Sequence, residues 1–142
     1  MRLKSASQKG AAMVEFALIL IPLIILTFGL IEFGLLMYNQ QVLTNAAREG
    51  ARYGIVMTPA AGDITTGMIE GVVTNYAATH LVTFKTGGNL TPSADSTCGP
   101  GTFGSSLTVS VTYDYNYLVI NNFVPGLGST KVLTSQAVMR CE

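Results

Sequence analysis

Residues 11–37 read AAMVEFALILIPLIILTFGLIEFGLLM, and this stretch decides how the rest of the chain is organised. Leu, Ile and Phe dominate it, and Glu15 and Glu32 are its only charges. As a helix it is about 40 Å long at roughly 1.5 Å per residue, enough to cross a bilayer core of about 30 Å. Pro22 lies inside it; membrane helices tolerate proline, and a bend is expected there. The segment before it carries Arg2, Lys4 and Lys9 and no acid. Positive residues stay on the cytoplasmic side, so the chain after Met37 is expected to face outward. A secretory signal peptide fits poorly. Its apolar region is about 7–15 residues and ends in a small-x-small cleavage site, whereas this run is longer and no A-x-A follows it closely. On length and charge alone, residues 1–37 read as a plain uncleaved anchor.

The junction Lys9-Gly10-Ala11-Ala12-Met13-Val14-Glu15-Phe16 complicates that reading. A charge inside a bilayer costs about 2.5–3.5 kcal/mol on insertion scales and demands a partner. Cleavage after Gly10 would free an α-amino group on Ala11. That cation would lie beside the same membrane as Glu15, and it would serve best as counter-ion to the Glu15 of a neighbouring copy. A milder role also fits, since an acid in the first turns of a helix complements the helix dipole.

Gly followed by a small residue, Glu at the fifth position after it and a long apolar helix resemble the class III signal of type IV pilins and pseudopilins. The segment from Ala11 to Pro22, Phe28-Gly-Leu-Ile-Glu-Phe-Gly34, and Tyr38-Asn-Gln-Gln-Val-Leu-Thr-Asn-Ala-Ala-Arg-Glu-Gly-Ala-Arg-Tyr-Gly54 together resemble the TadE-like family, over roughly residues 5 to 57. The resemblance implies a structural, non-enzymatic, pilin-like subunit of a Tad/Flp or related pilus that supports adhesion. It implies cleavage by a prepilin peptidase between Gly10 and Ala11, and assembly with other pilin or pseudopilin subunits into a helical polymer. Ala11 stands where many type IV pilins have Phe, and Phe16 where Flp-type major pilins usually have Tyr. Those major pilins are also much shorter than this chain. The departure at Phe16 and the difference in length both favour a minor pilin or pseudopilin.

The whole chain has 142 residues, with eight basic against eight acidic side chains. Only 11% of residues are charged and 49% are apolar. That excludes a disordered charged tail and argues against nucleic acid as a partner, since no basic face is available. With one His and no Trp, a catalytic site or a metal site has almost nothing to draw on, and no cofactor is expected. Cys98 and Cys141 are 43 positions apart and form no CxxC. They are two free thiols or one disulfide; a disulfide requires a compartment outside the reducing cytosol, in agreement with the outward orientation.

From Tyr38 to Ile55 the pattern stays helical but turns polar. Ala46, Gly50 and Gly54 recur every four residues, with Ala47 and Ala51 beside them. Such a face lets another backbone approach closely, either the chain's own sheet or a neighbouring subunit. Glu49 and Arg52 are i,i+3 neighbours able to pair. Thr58-Pro59 and Gly62 are expected to end the helix. A second helix is expected from an N-cap at Asp63, with Ile64, Met68, Val72 and Tyr76 on one face, Ile69, Val73 and Ala77 alongside, and Gly67 and Gly71 weakening it.

Leu81–Phe84 reads as a short strand, and 86–106, rich in Gly, Thr, Ser and Pro, as a long loop carrying Cys98. In 107–117, Leu107, Val109, Val111, Tyr113, Tyr115 and Tyr117 alternate with polar residues, the period of a half-buried strand. The tyrosines are core or an adhesive stripe. A turn region over 121–128 precedes a final strand, 131–141. If these last two strands pair antiparallel, Cys141 comes close to Leu107 and hence to Cys98, and with the outward orientation a Cys98–Cys141 disulfide is expected. His80 stands alone.

The expected fold is α+β and pilin-like. A leader (1–10) precedes a membrane helix (11–37) in the bacterial inner membrane, its extension (38–57), and an exported domain (58–142) with a helix and a 3–4-stranded antiparallel sheet. The membrane-anchored alternatives are an assembly factor that is never polymerised and an adhesin.

Overall fold

The computed structural model describes residues 8–56, 64–84, 88–124 and 126–142. Its first element, α1 (Gln8–Ile55), is a single helix of 48 residues that runs through Pro22. Within it, residues Gly10–Ile55 include a window apolar enough to cross a membrane, and none of that window is buried against the rest of the protein. A second helix, α2 (Thr66–His80), follows. Its N-cap is Thr65, whose hydroxyl accepts the Met68 N–H at 3.4 Å. Asp63, expected in that role, lies outside the described residues, as do the expected helix terminators Thr58, Pro59 and Gly62 and most of the leader.

Three strands complete the chain: β1 (Leu90–Ala94), β2 (Ser106–Asn116) and β3 (Thr130–Arg140). They form one antiparallel sheet in the order β1-β2-β3. The register places Val109 opposite both Ala94 and Ala137, and Tyr113 opposite both Leu90 and Leu133. Both helices cover one face of the sheet, with α1 over β2 and β3, and α2 between α1 and β1. The core is therefore Leu43, Ala46, Ala47 and Ala51 from α1, Ile69, Val73 and Ala77 from α2, and the odd-numbered residues of β2. The even-numbered residues of β2 sit on the wetter face, as the alternation required.

Two expectations are corrected. Leu81–Phe84 is not a strand. Its backbone is satisfied instead by a side chain: the Asn39 carboxamide donates to the Val82 carbonyl at 2.9 Å and accepts the Val82 N–H at 3.0 Å. The third strand comes from within the expected loop, as β1. Pro92 is compatible with it because β1 is an edge strand, where a missing N–H need not break a ladder. The turn region after β2 contains a short 3-10 turn, Ile120–Asn122.

Candidate functional site

The functional candidates all lie on α1 or on what grips it. Its N-terminal half is bare. Met13, Val14, Phe16, Leu18, Ile19, Ile21 and Leu23 are each more than half exposed, and Gly10, Ala11 and Glu15 share that exposed stretch. Nothing lies within 4 Å of the position a Cβ would take at Gly10.

Burial begins abruptly at Glu32 and then follows one helical stripe through Asn39, Val42, Leu43, Ala46, Ala47, Gly50, Ala51 and Gly54. The small residues permit a close approach to the chain's own α2 and sheet. A Cβ at Gly54 would lie 2.5 Å from Leu107 Cδ2 and 2.8 Å from Ile69 Cδ1. One at Gly50 would collide with Val73 and stand 3.4 Å from Val109 Cγ1. The stripe of Ala46, Gly50 and Gly54 is thus filled from within the same chain, while Arg48, Glu49 and Arg52 point outward.

Polar ties line the same half of the helix. Gln40 donates to the Thr134 carbonyl at 2.9 Å, and the Ser135 hydroxyl meets the Thr44 hydroxyl at 3.1 Å, so both fix β3 to α1. Glu32 makes the furthest-reaching tie. Its carboxylate is 3% exposed. It accepts backbone N–H groups from Leu118, from Val119 at 3.1 Å and from Ile120 at 2.9 Å. Three successive amides of the turn after β2 therefore converge on one carboxylate of the apolar helix. Charge-assisted bonds of this kind are about twice as strong as neutral ones. In sequence Glu32 is just a second acid in an apolar run; its partners lie 86–88 residues away, and no local pattern announces them.

At the opposite end of β2 from this turn, Cys98 and Cys141 are joined by a disulfide, with Cα atoms 5.5 Å apart. Both are buried. The bridge is flanked by a backbone pairing in which Cys141 N–H donates to Ser105 and Gly104 N–H donates to Cys141. Tyr113 and Tyr115 are buried in the core and Tyr117 is half-buried against it, so the tyrosine stripe belongs to the core over its first two rings. Burial pushes both phenols above their ordinary pKa of 10.0, with lesser contributions from the nearby charges of Asp114 and Glu32 respectively. His80 is exposed in the last turn of α2, its ring stacked on Tyr76 at 4.4 Å. Among the described residues, no group of His, Cys, Asp and Glu is arranged to hold a metal ion.

A bare apolar helix gripped at its outer half by a two-helix, three-strand domain defines an α+β protein of pilin-like build. Residues 10–52 match the family model described as TadE-like protein. That segment spans both the bare half of α1 and most of its gripped half. No curated protein and no solved structure gives a significant match to the chain. The match covers under a third of the chain, and that likeness suggests a pilin-like protein associated with Tad pili. The single N-terminal apolar helix is compatible with a single-pass membrane anchor.

Proposed function

We propose that the protein is a minor pilin or pseudopilin of a Tad-type pilus. A prepilin peptidase cuts between Gly10 and Ala11, the helix holds the subunit in the inner membrane with its domain outside the cytoplasm, and the mature subunit enters the filament through that helix. The observation that carries this reading is the division of α1. The stripe Ala46, Gly50 and Gly54 is occupied within the chain, whereas the family-matched segment before Glu32 keeps its apolar surface uncovered. That surface is what remains for lateral packing against other subunits. Head-to-tail contacts that do not close produce a helical filament. Glu15, exposed in the bare half, pairs with the Ala11 ammonium of a neighbour.

Glu15→Gln tests the pairing. Loss of the acid leaves a cation unpaired at a low-dielectric contact, at about 3–5 kcal/mol per subunit pair. Insertion and cleavage are untouched. The expected phenotype is therefore split: normal membrane level and normal processing, with no incorporation into sheared filaments. If the variant assembles as well as the parent, the pairing role is wrong and Glu15 serves the helix dipole alone. The intact mass of membrane-extracted protein tests the cleavage. A mature N-terminus at Met1 favours an uncleaved, membrane-anchored assembly factor instead.

A further inference from the structure

The turn after β2 is held at a fixed height on α1 by Glu32. Residues 11–31, which lie between the basic N-terminal segment and that tie, span about 31 Å at roughly 1.5 Å per residue. The hydrocarbon core of a bilayer is about 30 Å thick. With Ala11 at the inner boundary, Glu32 reaches the outer one, and the turn comes to rest on the membrane surface. The turn is built for that position. Phe123 is 49% exposed, Val124 42% and Leu127 37%, and Phe33 of the helix, which shares a recess with Leu127, is 62% exposed. Gly29, Glu32, Phe33, Leu36, Tyr117, Ile120 and Leu127 line a recess of about 210 Å³ between turn and helix. Irregular backbone at membrane depth is tolerated only where its N–H groups find partners inside the protein. Here Leu118, Val119 and Ile120 find Glu32, and the same bonds relieve an acid that would otherwise face lipid unpaired.

We propose that Phe123, Val124 and Leu127, together with Phe33, form a ledge that seats in the outer leaflet, with phospholipid acyl chains as its occupant and Glu32 as its internal tie. The lipid boundary then lies near Glu32, about a turn and a half of helix before Met37. The proposal rests on the membrane-anchored reading of α1 but not on cleavage or polymerisation.

The chain contains no tryptophan, so one introduced Trp reports its own depth. Phe123→Trp, Leu18→Trp and Phe103→Trp are compared in the full-length protein reconstituted into phosphatidylcholine–phosphatidylglycerol vesicles. Part of the phosphatidylcholine is brominated either near the glycerol or deep in the acyl chain. Phe103, 81% exposed, lies near the disulfide, at the far end of the 11-residue strand β2 from Phe123. Leu18→Trp is expected to lose most of its emission to deep bromines. Phe123→Trp is expected to be blue-shifted and to lose most of its emission to shallow bromines, and Phe103→Trp to be red-shifted and unquenched. Red, unquenched emission from Phe123→Trp beside a quenched Leu18→Trp overturns the ledge and leaves the anchor standing. Blue-shifted emission that bromine does not quench assigns the patch to a protein contact, such as a second copy, and also overturns it. Equal quenching of Phe103→Trp and Phe123→Trp means the whole domain lies on the membrane, with no specific ledge. An unquenched Leu18→Trp removes the anchor, and the ledge with it.

Discussion

From Ala11 to Ile31, α1 displays Leu, Ile and Phe to its surroundings; from Glu32 to Gly54 the same helix buries Glu32 and Asn39 along with Val42, Leu43 and a run of Ala and Gly. This inverts the usual rule that large apolar residues go inside and charged ones stay out. The inversion makes sense if the two halves meet different solvents. The first half needs no protein cover where lipid covers it. The second half stands in water and must supply its own cover, so it trades large side chains for small ones and lets a sheet approach its backbone. A continuous helix can therefore be half membrane element and half core element, with Glu32 at the join.

The comparison can be broken at several points, and the domain's melting transition in detergent reads each of them. The disulfide acts on the gripping domain alone. In the chain-entropy treatment a bridge across 43 residues is worth about 4 kcal/mol, so Cys98→Ser/Cys141→Ser should lower the domain transition by that amount while the helical signal of α1 persists. Loss of both signals together would mean that the two halves fold as one unit. The glycines come next. Gly50→Leu forces a side chain into Val73 and Val109, and overpacking of this kind costs about 1–3 kcal/mol. Gly34, with open space around it, should accept Ala with a gain of about 0.5–1 kcal/mol from helix propensity. Equal effects at the two glycines would erase the distinction between gripped and open faces of the helix.

Glu32→Gln keeps the shape but removes the charge and one acceptor oxygen: the carboxamide oxygen can serve Val119 and Ile120 while its NH2 faces the Leu118 N–H, or the reverse, at a cost of about 1.5–3 kcal/mol. Amide exchange should quicken first at Leu118, Val119 and Ile120, with Val82 and Thr134 unaffected. Uniform quickening across the sheet would show that Glu32 is not a local tie. The smallest effects follow pH. Tyr113 and Tyr115 stay protonated in the fold at pH values where an unfolded chain loses those protons. Their stabilisation is therefore complete below the ordinary phenol pKa of 10.0 and is lost as pH rises beyond it. Asp95 behaves in the opposite sense. It accepts the Thr108 N–H at 2.8 Å, which lowers its pKa below the ordinary 3.8. Its contribution is present above that value and fades as pH falls. Because Asp95 is exposed, Asp95→Asn should shift acid melting only slightly.

The parts of the fold legible in sequence were those with a period. The apolar run gave the helix, the alternation from Leu107 to Tyr115 gave the central strand and its buried face, and the antiparallel pairing of the last two strands brought the cysteines together. What was missed has no period. Leu81–Phe84 has strand composition, yet Asn39 takes the backbone bonds of Val82 that a neighbouring strand would have taken. β1 hides in a Gly- and Pro-rich stretch because an edge strand needs only one paired side, and Pro92 does not spoil it. The tyrosine stripe was legible as a stripe, but whether it faced core or solvent depended on which helix lay over it. Of the proposed site, Gly10 and Glu15 announce themselves by spacing; Glu32 does not, since its meaning depends on a turn 86–88 residues further along the chain.

The ties at Glu32, Asn39, Gln40 and Thr44 are spread over about 18 Å of helix at roughly 1.5 Å per residue. A pull along the helix axis, such as extraction from a membrane would apply, loads them in shear and together rather than one after another. Ties that share a load must all yield before the helix slides, whereas the same bonds peeled from one end would fail in turn. The domain is thus fastened to its helix most firmly along the helix axis, and is weakest to a force lifting the sheet sideways from α1.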